Sequence, residues 1–277
     1  KNKPSIKYSN IFDHPIQFSG VDRVEKLINF KTIFKEKNID HYLVTGLDNI
    51  AWLLNIRADD ILYTPLVYAY LLISQNEKPS LYINDDKINI QLKSEIEKNI
   101  NICSINNIEN IFSNIINNDL VGLDFSATTY YFLTLLEKNK IKYKDITNPC
   151  ILSKAIKNQV EQIGAFNANL RDGVSITRFI YWLKNEMDIN STNEILASDY
   201  LKSLRVNNKY FHSLSFDTIS AFGKNAALPH YRVDKESNTK FKMNNIYLVD
   251  SGAQYYDGTT DITRTIIIGT ASDEQKD

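Results

Sequence analysis

The feature that most limits how this chain can fold is a hairpin pattern between residues 244 and 269. Two apolar arms, IYLV and TIIIG, are joined through a loop that contains Asp257 and Gly258. An Asp-Gly dipeptide between apolar runs is a strong signal for two antiparallel strands connected by a tight turn. The turn chemistry explains Asp257, so its interpretation is structural. The pattern therefore predicts a β-hairpin whose arms also carry acidic residues.

Two of those acidic residues are expected to face each other. A turn centred between Tyr255 and Tyr256 pairs Asp250 with Asp261, because facing residues of a hairpin have a constant sum of residue numbers. Directly opposed Cβ atoms lie about 4.5 to 5.5 Å apart, so the two carboxylates would repel each other. Two divalent metal ions would remove the repulsion, because paired hydrolytic metals lie roughly 3.5 to 4 Å apart and share bridging carboxylates. Oxygen ligands fit manganese, with zinc or cobalt as alternatives.

The alternative to a metal site is that both aspartates are surface charges at the end of a hairpin and have no ligand role. The strand pattern argues against it, because Asp250 shares a strand face with Ile246 and Leu248. That position would place the carboxylate at the edge of a core, where an unpaired charge is costly. The pattern therefore favours a ligand role for Asp250.

The chain has four histidines, which limits the choice of side chains for proton transfer. His230 lies in AALPHYR, within a loop rich in Gly, Asn and Pro that follows a β-like segment, a favourable setting for an exposed functional side chain. His14, His41 and His212 are interpreted as structural. His230 is therefore the candidate catalytic histidine.

The order of patterns along the chain indicates two domains after a connector. A length of 277 residues exceeds the usual single-domain range. Residues 1–21 are interpreted as the connector, residues 22–149 alternate strand-like and helix-like segments as in an α/β domain, and residues 150–277 change from helices to strands as in an α+β domain. A seam is expected at Pro149 and Cys150. Three apolar residues of the helical stretch that follows are expected to point inward: Ile163, Phe166 and Leu170.

The composition is that of a soluble globular protein, with 43% hydrophobic and 23% charged residues. The formal net charge of -1 lacks the basic excess that nucleic-acid binding requires. The longest apolar stretches, such as residues 66–73, fall far short of the roughly 20 residues that cross a bilayer, so no membrane helix is expected. Two cysteines, Cys103 and Cys150, suit a reducing compartment.

With these segments identified, VDSGAQYYDGTTDITRT resembles the metal-binding hairpin of aminopeptidase P, a family of the pita-bread metallopeptidases. Those metallopeptidases also include prolidase, creatinase and methionine aminopeptidase. SFDTISAFGKNAALPHYR resembles the segment just upstream, LDNIAWLLNIR resembles the middle domain, and LSKAIKNQVEQIGAFNANLRDGV resembles the first catalytic helices. The resemblance extends over about residues 20–275. It implies a creatinase-like α/β middle domain followed by an α+β pita-bread catalytic domain.

The resemblance also implies an activity, the removal of an N-terminal residue that precedes proline with the help of two divalent metals. Asp250 and Asp261 would be metal ligands, with Asp261 bridging the ions. His230 would contact the substrate near the scissile bond and help stabilise the tetrahedral intermediate, and Arg57 would line the substrate cleft. Peptides with proline in second position would be the substrates of a cytoplasmic homodimer, with no nucleic-acid or membrane partner.

The same resemblance implies further metal ligands, a histidine and two glutamates, beyond Asp277. By that expectation the chain lacks the first domain of the family and the C-terminal half of the catalytic domain. Two alternatives stay open. One is a non-catalytic pita-bread module that binds peptides or proteins, and the other is a prolidase-like dipeptidase. A creatinase-like hydrolase would need no metal, which the two aspartates disfavour.

Overall fold

The computed structural model describes residues 6–116 and 118–276. The chain forms two compact units that meet in sequence between Val160 and Glu161. The expected seam lies earlier, at Pro149 and Cys150, whereas the Cys150 side chain is buried in the core of the first unit. Residues 1–5 of the expected connector lie outside the described residues, as do positions 117 and 277. The domain limits stay a prediction.

The described residues of the first unit form eight strands and six α-helices. In chain order they are β1 (Phe12–Asp13), α1 (Ile16–Ser19), α2 (Arg23–Lys37), β2 (His41–Val44), α3 (Leu47–Leu54), β3 (Ile56–Arg57), β4 (Tyr70–Ser74), β5 (Ser80–Ile83), α4 (Ile90–Glu97), β6 (Asn101–Ser104), β7 (Leu120–Leu123), α5 (Tyr130–Lys138), β8 (Lys142–Asp145) and α6 (Cys150–Ala155). Short 3-10 helices span Asp85–Lys87 and Ile105–Asn110.

Six of these strands form one mixed sheet in the order β6-β5-β4-β2-β7-β8. Strand β2 pairs parallel with β7 and antiparallel with β4, and all four of its residues are buried. Alternate side chains enter opposite faces of a strand, so Tyr42 lies in one hydrophobic cluster and Leu43 in the other. On the first face, Tyr42 packs edge-on against Phe30 of α2, with ring centroids 5.4 Å apart. The predicted α/β layer is confirmed.

The second unit consists of long helices followed by short antiparallel sheets. Its elements are α7 (Gln159–Asn185), whose first two residues precede the unit boundary, α8 (Glu194–Val206), β9 (Phe211–Leu214), β10 (Ile219–Phe222), β11 (Asn245–Ser251), β12 (Ala253–Tyr255), β13 (Gly258–Thr259), β14 (Ile262–Ile268) and α9 (Asp273–Lys276). A 3-10 helix spans Gly223–Ala227. Strands β10-β11-β14 form one sheet and β13-β12-β9 form another.

The buried face of α7 differs from the expected one. Ile163, Phe166 and Leu170 were expected to point inward, but their exposed fractions are 54%, 69% and 59%. The N-terminal half of the helix instead buries small and polar residues, namely Gly164, Ala168 and Asp172. Small residues let the backbone of the β12–β13 turn approach closely: a Cβ added at Gly164 would lie 2.4 Å from the carbonyl oxygen of Asp257, which belongs to that turn. The prediction that Ile163, Phe166 and Leu170 point inward was therefore wrong, because the helix packs its small residues closely against the β12–β13 turn.

Between α7 and α8 lies a fully buried ion pair. Arg205 donates from Nε and Nη2 to the two carboxylate oxygens of Asp172, at 2.7 and 2.9 Å. Both side chains have no exposed surface. The Tyr255 hydroxyl donates to the same carboxylate at 2.9 Å. The protein itself thus neutralises this carboxylate.

Among the described residues, no helix combines the length and the apolar character that crossing a membrane requires. Cys103 and Cys150 are both free thiols.

Candidate metal centre

The hairpin of β11 and β14 carries the predicted carboxylates on its less buried face. Along β11, Tyr247, Val249 and Ser251 are buried, and the residues between them are half-buried. Asp250 therefore lies on the side of the strand that faces away from the tightest packing. It does share that face with Ile246 and Leu248, as the sequence predicts.

The register of the hairpin differs from the predicted one. Asp250 pairs with Thr263, and Ser251 pairs with Ile262, so facing residue numbers add up to two more than expected. Tyr255 pairs with Gly258, which moves the turn one residue later. Asp261 thus lies two residues before the partner of Asp250, just ahead of the first residue of β14, and diagonal to Asp250. The expected direct opposition was wrong, whereas the expected closeness of the two carboxyl groups is observed.

Gly252 explains how the diagonal pair comes together. It lies between β11 and β12, and a Cβ added there would be 1.9 Å from the backbone oxygen of Thr260 and 2.3 Å from the hydroxyl oxygen of Ser215. Contacts this short are impossible, so glycine alone permits the close approach of the two arms. Asp250 and Asp261 flank this crossing, one on each arm, so the crossing brings them together.

The carboxyl groups of Asp250 and Asp261 lie close enough to interact electrostatically. Partial burial and then the negative charge of Asp250 raise the pKa of Asp261. One oxygen of Asp250, Oδ1, is buried and has no hydrogen-bond partner within the described chain. No described lysine or arginine forms an ion pair with either aspartate. The site therefore contains an acidic pair that the described residues leave uncompensated.

These residues fit a divalent metal in the chemistry of their donors. Carboxylate oxygens are hard ligands that suit manganese and similar ions, and a cation would satisfy the buried Oδ1 of Asp250. No group of three or more His, Cys, Asp or Glu side chains able to hold a metal ion occurs in residues 6–116 and 118–276. Asp250 and Asp261 thus supply part of a coordination shell.

His230 lies in the loop after the 3-10 helix Gly223–Ala227 and is exposed. Its backbone is in the left-handed region, with φ of 56°, which a residue with a side chain adopts only when its surroundings hold it there. No hydrogen bond or ion pair joins its ring to another described residue. Its predicted contact with substrate stays a prediction.

Arg57 belongs to the first unit, where it ends β3. Its Nη1 donates to the backbone oxygens of Ala51 at 2.6 Å and Ile56 at 2.9 Å, so these contacts give the guanidinium a local structural role. The predicted place of Arg57 in a substrate cleft stays a prediction.

Sequence reasoning missed the residue that organises the His230 loop. Asn193 is the N-cap of α8, and Glu194 is the first residue of that helix. Its side chain is also fully buried and accepts hydrogen bonds from the loop that contains His230. Local sequence carries no signal for this role, because the partners lie about 30 to 45 residues further along the chain.

Comparison with known protein families agrees with this architecture. Residues 2–161 match the creatinase/prolidase N-terminal domain, and residues 166–277 match metallopeptidase family M24. The chain belongs to the creatinase/prolidase family and carries M24 metallopeptidase sequence after the N-terminal domain of that family. The fold predicted for both parts, including the pita-bread architecture of the second, is confirmed.

The curated relatives include Xaa-Pro aminopeptidases. The chain is 34% identical to Xaa-Pro aminopeptidase ApepP of Drosophila melanogaster, with 100% of this chain and 46% of the relative covered. It is 35% identical to Xaa-Pro aminopeptidase 1 of Dictyostelium discoideum, with 99% and 44% covered. The chain therefore spans about half the length of the curated relatives it matches. The resemblance to aminopeptidase P is confirmed.

Solved structures show the same relationship. X-prolyl aminopeptidase from Caenorhabditis elegans, described as a cytosolic enzyme with a di-nuclear active site, superposes with a TM-score of 0.88 at 31% identity. That match covers 98% of this chain and 45% of the other. Prolidase from Pyrococcus horikoshii superposes with a TM-score of 0.68 at 22% identity, over 91% of this chain and 67% of the other, and supports the fold.

Proposed function

We propose that the protein is an Xaa-Pro aminopeptidase that hydrolyses the bond between an N-terminal residue and a following proline, with two divalent metal ions in its site. The observation that carries the proposal is the uncompensated pair Asp250 and Asp261. A buried carboxylate oxygen without a partner costs free energy, and a bound cation would remove that cost. Similarity to Xaa-Pro aminopeptidases supplies the substrate class.

In this proposal Asp250 and Asp261 would both serve as ligands of the metal ions. When bound, the ions supply Lewis-acid polarisation of the scissile carbonyl and activate a water molecule near neutral pH. His230 donates a hydrogen bond to the oxygen that becomes negative in the tetrahedral intermediate.

Finer features are proposed on resemblance. We infer manganese as the metal, with zinc or cobalt as alternatives, since all three accept oxygen ligands. A cytosolic location is supported by the C. elegans neighbour, which is described as a cytosolic enzyme. A homodimer is proposed on the family resemblance alone.

Release of arginine from Arg-Pro-Pro by the whole protein with manganese tests the function. The expected result is release of the first residue and none from a matched peptide with alanine in second position. Cleavage of dipeptides such as Ala-Pro without cleavage of Arg-Pro-Pro would replace the proposal with a prolidase. Cleavage of methionyl peptides without proline would replace it with a methionine aminopeptidase.

A further inference from the structure

The carboxylate of Glu194 is fully buried and accepts four hydrogen bonds. Oε1 accepts from the backbone N–H of Phe222 at 2.6 Å and from Asn225 Nδ2 at 3.0 Å. Oε2 accepts from the hydroxyl of Tyr231 at 3.0 Å and from the backbone N–H of Thr239 at 2.8 Å. All four donors lie outside α8, so one side chain connects the start of this helix to β10 and to the loop after it.

The loop segment held in this way contains His230. Asn225 and Tyr231 bond to opposite oxygens of the Glu194 carboxylate, and the chain between them, residues 226–230, arches out to solvent. Asn225 Nδ2 also donates to the hydroxyl oxygen of Tyr231 at 3.0 Å, which joins the two ends of the arch directly. We call residues 225–231 the His230 arch. Glu194 therefore fixes both of its ends.

The conformation of His230 shows why such an anchor is needed. Its φ of 56° places a residue with a side chain in the left-handed region, which is strained and persists where neighbouring structure imposes it. The ring is exposed and makes no hydrogen bond with other described residues that could hold it in place. The next residue, Tyr231, is 8% exposed and is bonded to Glu194. The backbone of His230 is thus set by its anchored neighbour.

We propose that Glu194 is a positioning residue for His230: it clamps the two ends of the His230 arch and so sets where the imidazole can meet the substrate. The inference rests on the proposed function, in which His230 stabilises the reacting carbonyl oxygen. Glu194 itself touches neither substrate nor metal and acts through Tyr231 and Asn225.

The donor pattern requires a carboxylate at this position. Each oxygen accepts a backbone N–H from Phe222 or Thr239, and a backbone N–H cannot accept a hydrogen bond in return. The amide of a Glu194→Gln variant would therefore oppose one of these N–H groups in either orientation. Burial, together with the neighbouring Glu194, raises the pKa of Tyr231, so that its hydroxyl keeps the proton it donates.

The decisive variant is Tyr231→Phe, which removes one of the hydrogen bonds between Glu194 and the His230 arch and keeps the buried ring. We call these hydrogen bonds the Glu194 clamp. In the whole protein with manganese, we expect kcat for Arg-Pro-Pro to fall about tenfold while KM stays within about twofold. In a His230→Ala background the same substitution should change kcat by less than about twofold, because the group it positions is gone. Glu194→Gln should show the same dependence on His230 with a larger loss.

The matched control is Tyr42→Phe, which removes a buried hydroxyl that donates to the backbone oxygen of Ile146 at 2.8 Å in the first unit. It should lower the melting temperature to a similar extent as Tyr231→Phe and leave kcat unchanged. An equal loss of kcat in both variants, or the same loss from Tyr231→Phe with and without His230, would assign Glu194 a merely structural role and overturn the inference.

A second measurement separates this inference from the proposed function. Amide hydrogen exchange of residues 226–228 and of His230 should accelerate in Tyr231→Phe and not in Tyr42→Phe, whether or not the wild-type protein hydrolyses Arg-Pro-Pro. An inactive wild type with accelerated exchange would remove the proposed function and keep the clamp. Unchanged exchange in Tyr231→Phe would remove the clamp.

Discussion

Two carboxylate sites of the second unit differ in how their negative charge is balanced. Asp172 is fully buried, receives two hydrogen bonds from Arg205 and one from Tyr255, and has both oxygens satisfied. Asp250 keeps a buried oxygen without a partner, and its nearest charged contact is the like charge of Asp261. The same chemical group is thus neutralised by the protein at one site and left in excess at the other.

The difference distinguishes a carboxylate that stabilises the fold from one that awaits a ligand. Burial alone does not identify the ligand site, because the more buried carboxylate, that of Asp172, is the one that the protein neutralises. What separates them is whether the chain provides the opposite charge. Arg205 is the partner that Asp250 lacks, and a divalent cation would take its place.

Asp172→Ala should have the largest effect and should act on stability. It leaves Arg205 buried without a counter-charge, which costs about 3 to 5 kcal/mol of unfolding free energy. Chemical denaturation of the whole protein measures it. The double variant Asp172→Leu with Arg205→Met should recover most of the loss, because no charge is then left buried. A double variant as unstable as the single one would contradict this explanation.

Asp250→Asn should act on activity and leave stability intact. Loss of a metal ligand is expected to lower kcat about a thousandfold, equivalent to about 4 kcal/mol of transition-state stabilisation. The metal-free variant should be as stable as the wild type or more so, because the repulsion from Asp261 is removed. Manganese should raise the melting temperature of the wild type and not that of the variant.

Asp199→Asn, an exposed aspartate on α8, is the matched control for that experiment and should behave as the wild type in all three measurements. A manganese-dependent rise in melting temperature that survives Asp250→Asn would show that the uncompensated carboxylate is not where the metal binds.

Gly252→Ala should disturb the acidic pair without changing any charge. Its Cβ would meet the backbone oxygen of Thr260 at 1.9 Å, so the two arms must separate, at a cost of about 1 to 3 kcal/mol. Misplacement by about 1 Å lowers kcat about a hundredfold. Gly173→Ala, on α7 with open space around it, is the control and should stabilise the protein by up to about 1 kcal/mol. Equal behaviour of the two variants would exclude a close crossing at Gly252.

The smallest expected effect is the pH dependence of metal-free stability. Because the pKa of Asp261 is raised in the folded state, its contribution is fully present below 3.8 and is lost as the pH rises through the folded pKa. Asp261→Asn should remove that slope, and manganese should reverse its sign, since the metal binds the ionised carboxylate. Thermal melts between pH 3 and 6 would measure it. A slope that survives Asp261→Asn would assign it to another group.

The hairpin and its two acidic residues could be predicted from the sequence, but the register in which its two strands pair could not. Asp257 and Gly258 do lie at the turn, and the carboxyl groups of Asp250 and Asp261 do lie close to each other. The constant-sum rule assumes that turn position alone fixes the pairing. The structure pairs residues whose numbers add up to two more than expected, and the close crossing at Gly252 is visible only once the arms are placed against each other.

The buried side of α7 shows a second limit of sequence patterns. Apolar periodicity favoured Ile163, Phe166 and Leu170, whereas the helix buries Gly164 and Asp172. Asp172 becomes suitable for burial only through Arg205, which lies 33 residues away in the chain. Glu194 is similar, since its hydrogen-bond donors come from distant segments. The burial of Asp172 and Glu194 depends on polar partners that are distant in the sequence, so local periodicity cannot predict it.

The outward row of α7 has a practical consequence for anyone handling these 277 residues on their own. Exposed apolar residues recur every three or four positions and so form a continuous apolar stripe along the helix: Ile163, Phe166, Leu170 and Val174. Because the net charge is only -1, there is little long-range repulsion between two molecules. The exposed apolar stripe therefore favours self-association. Solubility of such a preparation is therefore governed by one helix surface, and a single glutamate in place of Phe166 would interrupt it.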